Sequence, residues 1–248
     1  MFAPLSLFDD VLRVEKRVKS NESQVKAILF DLGGTLIRTT EIPQVMKKIL
    51  EHHGINRSSQ EIAHAWKKAE KGLDFQRLTT LLNEFWVRWN MRILRELQIR
   101  SNIRTLAEFI ATHWWDYCNV TLYPDAEKAL PRLKMMDLKI GVITNGLQSD
   151  MDAIMPKAGL QDFFDTVVVI DTLRKMKPDK EVFHYALQKL NTAPSRAIFI
   201  GDEIEADYEG AQRSGLTPYL IDRDGKTPSQ GLNKIASLDD LFKLNIIK

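Results

Sequence analysis

Four short stretches of this chain carry residues able to do chemistry together. Asp31 follows an apolar run, Val25-Lys26-Ala27-Ile28-Leu29-Phe30, and precedes Leu32-Gly33-Gly34-Thr35-Leu36. Thr144-Asn145 follows the run ending at Ile143, and Lys177-Pro178 leads into a helical pattern. Gly201-Asp202 follows the run ending at Ile200, with Asp207 five residues on. A lone carboxylate at the carboxyl end of a buried strand has the placement of an active-site residue in an open α/β sheet. Lys177 and Thr144 offer a positive charge and a hydroxyl. Asp202 and Asp207 offer the hard oxygens that Mg²⁺ prefers. Each residue also has a commonplace reading. A lysine before proline is usually a solvated surface residue, and a threonine after a strand usually caps a helix. Acidic residues such as Glu203, Glu205 and Asp207 complement a helix N-terminus. The pair Gly33-Gly34 suits a turn that needs positive φ. It is the order, spacing and placement of all four stretches together that point to a site.

Three of the four stretches need strands whose carboxyl ends share one edge. The sequence predicts them. Val25–Phe30, Leu138–Ile143, Thr166–Ile170, Ala197–Ile200 and Pro218–Ile221 read as strands. Helical patterns cover 125–136, 148–158, 179–190, 203–214 and 238–244, with Gly159 and Gly215 as stops. Strand–helix alternation predicts an α/β fold with a doubly wound, Rossmann-like parallel sheet. Between about 39 and 120 strand signals vanish. Ser58 to Glu61 is a capping-box pattern. Leu78, Leu81, Leu82, Phe85, Trp89, Ile93, Leu94 and Leu97 form a long amphipathic stripe, and Leu106 to Trp114 suggests another helix. The expected organisation is an N-terminal extension at 1–23, a core at 24–38 and 121–248, and an all-helical insert at 39–120. Leu5, Phe8, Val11 and Leu12 share a helical face in the extension, where a helix packed on the core or on a partner is expected.

The chain has 248 residues, enough for one large domain or two modest ones. Its net charge of +2 is nearly neutral and does not argue for nucleic acid or an anionic membrane, and neither is expected as a partner. Cys118 is the single cysteine, so no intramolecular disulfide can form, and a reducing, cytoplasmic setting fits. No apolar stretch is long enough to span a bilayer.

The string Phe30-Asp31-Leu32-Gly33-Gly34-Thr35-Leu36 resembles the first signature of the haloacid dehalogenase superfamily, D-x-D-x-T. The other three stretches match the family's remaining motifs in order, over about 25–37 and 121–222. The insert matches the helical cap of the first subclass. The resemblance implies that Asp31 is a nucleophile forming an aspartyl-phosphate, with Thr144 and Lys177 catalytic beside it. It implies substrate binding by Thr144, Asn145, Lys177 and Gly34. It also implies a Mg²⁺ site made of Asp31, the Gly33 carbonyl, Asp202 and Asp207, the last acting directly or through water. One position departs from the phosphatase pattern. Gly33 stands where the second Asp, the general acid and base, normally sits, and such assistance is worth typically ~10²–10⁴-fold.

The expectation is therefore a Mg²⁺-dependent phosphohydrolase of a small phosphorylated metabolite, monomeric or homodimeric, favouring leaving groups that need no proton, such as acyl or aryl phosphates. A 2-haloacid dehalogenase is the alternative enzyme. It also lacks the second Asp, but its fourth motif is usually Ser-Asn with a single Asp. A catalytically weak member that binds a phosphorylated ligand or protein partner is the alternative from another class. The insert's basic residues outnumber its acids, which favours an anionic substrate. Its tryptophans are expected to fill its own core first.

Overall fold

The computed structural model describes residues 25–228, 231–244 and 246–247. The expected N-terminal helix lies outside them. Ala27–Phe30 (β1) is buried throughout and follows directly from its unbroken apolar run. Ile37–Thr39 (β2) leads into five helices: Ile42–His52 (α1), Ser59–Glu70 (α2), Leu78–Leu81 (α3), Asn83–Glu96 (α4) and Ile103–Tyr117 (α5). Val120–Leu122 (β3) leads out of them. There follow Pro124–Lys134 (α6), Lys139–Ile143 (β4), Gln148–Ala158 (α7), Thr166–Val168 (β5), Ile170–Leu173 (α8), Lys180–Lys189 (α9) and Ala197–Gly201 (β6). The chain ends in Gly210–Arg213 (α10), Thr217–Ile221 (β7), Lys234–Ile235 (β8) and Asp240–Lys243 (α11).

Six strands form one sheet in the order β5-β4-β1-β6-β7-β8, and every pairing is parallel. The fold is thus the predicted doubly wound α/β sheet. Alternate residues of β1 enter opposite faces: Ile28 and Phe30 pack in one apolar cluster, Ala27 and Leu29 in another with Phe183 and Phe199. Helices cover both faces, which is why the strand reads as continuously apolar. The larger cluster runs on into the helical insert through Val45, Ile49, Ile93 and Ile110. Among the described residues no helix is long and apolar enough to cross a membrane.

Several elements differ from their sequence reading. The insert is entered and left through a two-stranded antiparallel ribbon, with Ile37 opposite Leu122 and Thr39 opposite Val120. Three residues per strand are too few to give a legible alternation. The stripe from Leu78 to Leu97 is not one helix: Leu82 takes φ 50° and ψ −126°, ending α3 and starting α4. Its apolar spacing survives because both pieces face the same core. The predicted helix at 203–214 begins as a π-helix over Ile204–Glu209 and only then becomes α10. The capping box at Ser58 and Glu61 forms as predicted, with Ser58 N–H donating to Glu61 at 2.7 Å.

Candidate active site

Asp31 stands at the carboxyl end of the central strand, its N–H donating to Ile200 O at 2.8 Å. β4 and β6 flank β1, so Thr144 and Asp202 emerge at the same edge. Lys177 comes from the loop before α9 and is buried beside them. Its Nζ donates to Asp31 Oδ1 and to Asp207 Oδ1, both at 2.6 Å, over the ring of Phe199. The lysine that in isolation reads as a surface residue is therefore a buried ion-pair centre. Removing one partner of such a pair typically costs about 3–5 kcal/mol.

Asn145 fixes that lysine. Its Oδ1 accepts from Lys177 N at 2.7 Å and its Nδ2 donates to Lys177 O at 3.1 Å. The side chain expected to touch substrate thus spends its amide on holding Lys177's backbone. Asp207 is similarly engaged. Its Oδ1 accepts from Lys177 and its Oδ2 from Glu203 N at 3.0 Å.

Two glycines let the carboxylates converge. Gly34 has φ +74°, and a Cβ there would collide with the Asp202 carboxylate. A Cβ on Gly201 would collide with Asp207. Gly33 is different. Its φ is not positive, and a Cβ there would meet nothing within 4 Å. The turn uses only Gly34's conformational freedom, so the expectation that Gly33 serves positive φ is corrected. A Cβ, at least, can be added at Gly33 without a clash.

Carboxylate oxygens of Asp31, Asp202 and Asp207 lie within 4.8 Å of one another. Against the single ammonium of Lys177 this trio leaves two negative charges, the charge of one divalent cation. The electrostatics express that excess. Burial pushes Asp31 up to about 7, against the pull of Lys177 and with a push from Asp207. Burial, then Asp207 and Glu203, push Asp202 up to about 6. Burial alone would lower the Lys177 ammonium, but Asp31 and Asp207 outweigh it and hold it above its usual range. The hard oxygen donors and the unbalanced charge both fit a hard divalent cation.

Arg223 was not singled out by sequence and belongs to this site. It donates to Thr35 O at 2.7 Å and to Gly34 O at 3.3 Å, and doubly to Asp125 at 2.9 Å. Its guanidinium stacks on Tyr123, 3.8 Å from the ring centroid. It thereby fixes the loop that carries Gly33 and Gly34. Thr35, fully buried, donates to Asp202 Oδ1 at 3.4 Å. Thr35 was legible as the last position of the first signature. Arg223 lies outside all four motifs and carries no local signal.

The fold and this edge define a class: doubly wound α/β proteins with a buried lysine and an acidic trio at the strand ends. The haloacid dehalogenase-like hydrolase family model matches residues 25–215, and the chain belongs to that family. It is 28% identical to the glyceraldehyde 3-phosphate phosphatase of Pyrococcus furiosus, over 78% of this chain and 79% of that one. It is 26% identical to the (S)-2-haloacid dehalogenase of Pseudomonas sp. (strain YL), over 88% and 95%. Among solved structures it resembles the HAD-hydrolase YfnB of Bacillus subtilis, with a TM-score of 0.73, 19% identity, and coverage of 89% and 98%.

Proposed function

We propose that this hydrolase is a Mg²⁺-dependent phosphatase of a small phosphorylated metabolite, with the helical insert at 39–120 acting as a cap over a core of 24–38 and 121–248. One observation carries the reading: three convergent carboxylates lie beside one lysine, an excess of two negative charges that a divalent cation balances, and the cation and the lysine together then offer positive charge to phosphoryl oxygens. Asp31, Asp202, the Gly33 carbonyl and Asp207, directly or through water, would hold the metal. Bound there, Mg²⁺ neutralises charge on the phosphoryl oxygens and on Asp31. Asp31 attacks phosphorus, and the bond from phosphorus to the leaving oxygen breaks with its electron pair departing on that oxygen. Water then hydrolyses the aspartyl-phosphate and restores Asp31, so one hard step becomes two easier ones. Lys177 and Thr144 face the phosphoryl oxygens, with Gly34 adding its backbone, and Asn145 and Asp207 keep Lys177 in place. Gly33 supplies no acid, so alcohols that leave as unstable alkoxides are poor leaving groups here.

A second reading, 2-haloacid dehalogenase, is favoured by one feature, the absence of a carboxylate at Gly33. Attack on carbon needs neither that acid nor a metal. The experiment is a paired assay on the full chain: phosphate release from acetyl phosphate with Mg²⁺ and with chelator, beside chloride release from 2-chloropropionate. Phosphate release that disappears with chelator is expected. Chloride release that survives chelator, with no phosphate released, overturns the proposal in favour of the dehalogenase.

A further inference from the structure

Four of the five tryptophans fill the insert as expected. Trp66 and Trp86 pack on Trp89, with ring centroids at 4.5 Å and 5.2 Å, and Trp114 lies 6.3 Å from Trp66. Trp115 is the exception. Among the described residues it stacks on no other ring.

Trp115 stands near the end of α5 and turns to the core. Its Nε1–H donates to Asp150 Oδ1 at 2.8 Å, in the first turn of α7. Its carbonyl is one of the last in α5, where the helix itself offers no donor. It accepts instead from Lys157 Nζ, about two turns further along α7. One core helix thus holds both the side chain and the main chain of one insert residue. Ser149 Oγ adds a contact to Asn83 Oδ1, at the start of α4, at 3.4 Å.

Asp150 also serves the catalytic edge. Its Oδ2 accepts from Leu147 N at 2.8 Å. Leu147 closes the stretch Thr144-Asn145-Gly146, whose Asn145 brackets the backbone of Lys177. Gly146 keeps that stretch tight: a Cβ there would lie 3.4 Å from Asp150 Oδ2 and 3.6 Å from Thr144 Oγ1. The two oxygens of one carboxylate are therefore divided between the insert and the loop that carries Thr144. Burial pushes the Asp150 carboxyl up, and the Leu147 and Trp115 N–H groups pull it back. Among the described residues no cation pairs with it, so its charge leans on those two neutral donors. A carboxylate that loses one of two such donors must turn to water, and that movement loosens its other bond.

We propose that Asp150 is a positioning residue, through which the seating of Trp115 sets the geometry of the Thr144–Leu147 loop and so of Lys177. Its bearing on turnover rests on the phosphatase reading of the neighbouring site. With Trp115 docked, the carboxylate is fixed and holds Leu147. With Trp115 away, the carboxylate turns outward and Leu147 N–H loses its acceptor. A seated insert and a correctly placed lysine then arise as one event.

The test uses the full chain and three variants. Trp115→Phe keeps a ring and removes the donor. Asp150→Asn leaves one amide oxygen, which can serve Trp115 or Leu147 and not both. The third variant combines the two. Residue-resolved hydrogen exchange needs no phosphoryl chemistry. The Leu147 amide is expected to exchange about tenfold faster in Trp115→Phe, the scale of one hydrogen bond, with the amides of β6 unchanged. The double variant should exchange no faster at Leu147 than Asp150→Asn, because Trp115 acts through Asp150. With acetyl phosphate and Mg²⁺, kcat should fall about tenfold in Trp115→Phe, more than KM rises. Faster Leu147 exchange in a protein that never releases phosphate supports the positioning role and sinks the phosphatase reading alone. A lower melting temperature in Trp115→Phe with unchanged Leu147 exchange would make Trp115 an anchor only and overturn the proposal. Additive effects in the double variant, or an unchanged kcat where wild type releases phosphate, overturn it as well.

Discussion

The sheet edge and the helical insert solve opposite problems. At the edge, the charges of Asp31, Lys177 and Asp207 are buried and engaged with one another. Lys177 bridges two carboxylates, Asn145 holds Lys177, and Arg223 holds the loop after Asp31. In the insert, the packing is aromatic, and one buried indole N–H, that of Trp89, has no acceptor among the described residues. The difference separates two tasks. Chemistry needs groups fixed before the substrate arrives, whereas recognition draws on partners that only the substrate brings. Changes at the edge should therefore act on kcat or on stability, and changes in the insert other than at Trp115 on KM.

The largest expected effect is at Asp31. Asp31→Asn should lower kcat by ~10⁴-fold or more, the scale of losing a hydrolase nucleophile, with an unchanged circular-dichroism spectrum. Substantial residual turnover would place the nucleophile elsewhere and dissolve the comparison.

Gly33→Asp sharpens it. The site is open and its φ is not positive, so the variant should fold. It should raise the ratio of alkyl-ester to aryl-ester rates, by up to ~10²–10⁴-fold. Equal and rapid wild-type rates on both classes would show that another group already donates the proton.

Arg223→Lys should act at a distance. Lysine cannot reproduce the double contact to Asp125 together with two loop carbonyls. A stability loss of about 1.5–3 kcal/mol is expected, with a weaker Mg²⁺ half-saturation and little change in the KM of an aryl ester measured at saturating metal. A large KM change would mean that the two regions are not separable.

The smallest effect concerns pH. With chelator, Asp31 is raised to about 7 and Asp202 to about 6, from 3.8. A carboxyl raised on folding contributes stability that is fully present below its unfolded value and is lost as pH rises through its folded value. The chelated protein should therefore lose melting temperature between about pH 4 and pH 7, and Asp31→Asn should flatten that slope. A slope identical in the variant would show that Asp31 is not the titrating group.

The sequence announced the edge better than the insert. β1 and β6 are unbroken apolar runs, β4 is one after Lys139, and each is followed by a residue that reads as chemical because its neighbours do not. Asp31, Thr144 and Asp202 share an edge for that reason. Lys177 owed its legibility to order along the chain alone, since nothing local says that it is buried. What escaped was short or distant. β2 and β3 are three residues each, and the break at Leu82 keeps the apolar spacing of one helix. Arg223 works through partners 98, 188 and 189 residues away. The contact of Trp115 with Asp150 escaped for a different reason. Tryptophans at helical spacing predict a core, and only coordinates show that one of them reaches across to α7.

Arg223 also sets a timetable. A chain made from its N-terminus presents Asp31 to the cell early, but the clamp on the following loop does not exist until residue 223 has been synthesised. Lys177, the partner of Asp31, arrives 146 residues after it. Closing loops of that length is entropically slow relative to forming local helices. A nascent or C-terminally clipped chain therefore carries Asp31 on an unclamped loop, without the partners that hold it in the folded protein. The edge is assembled only once residue 223 is in place.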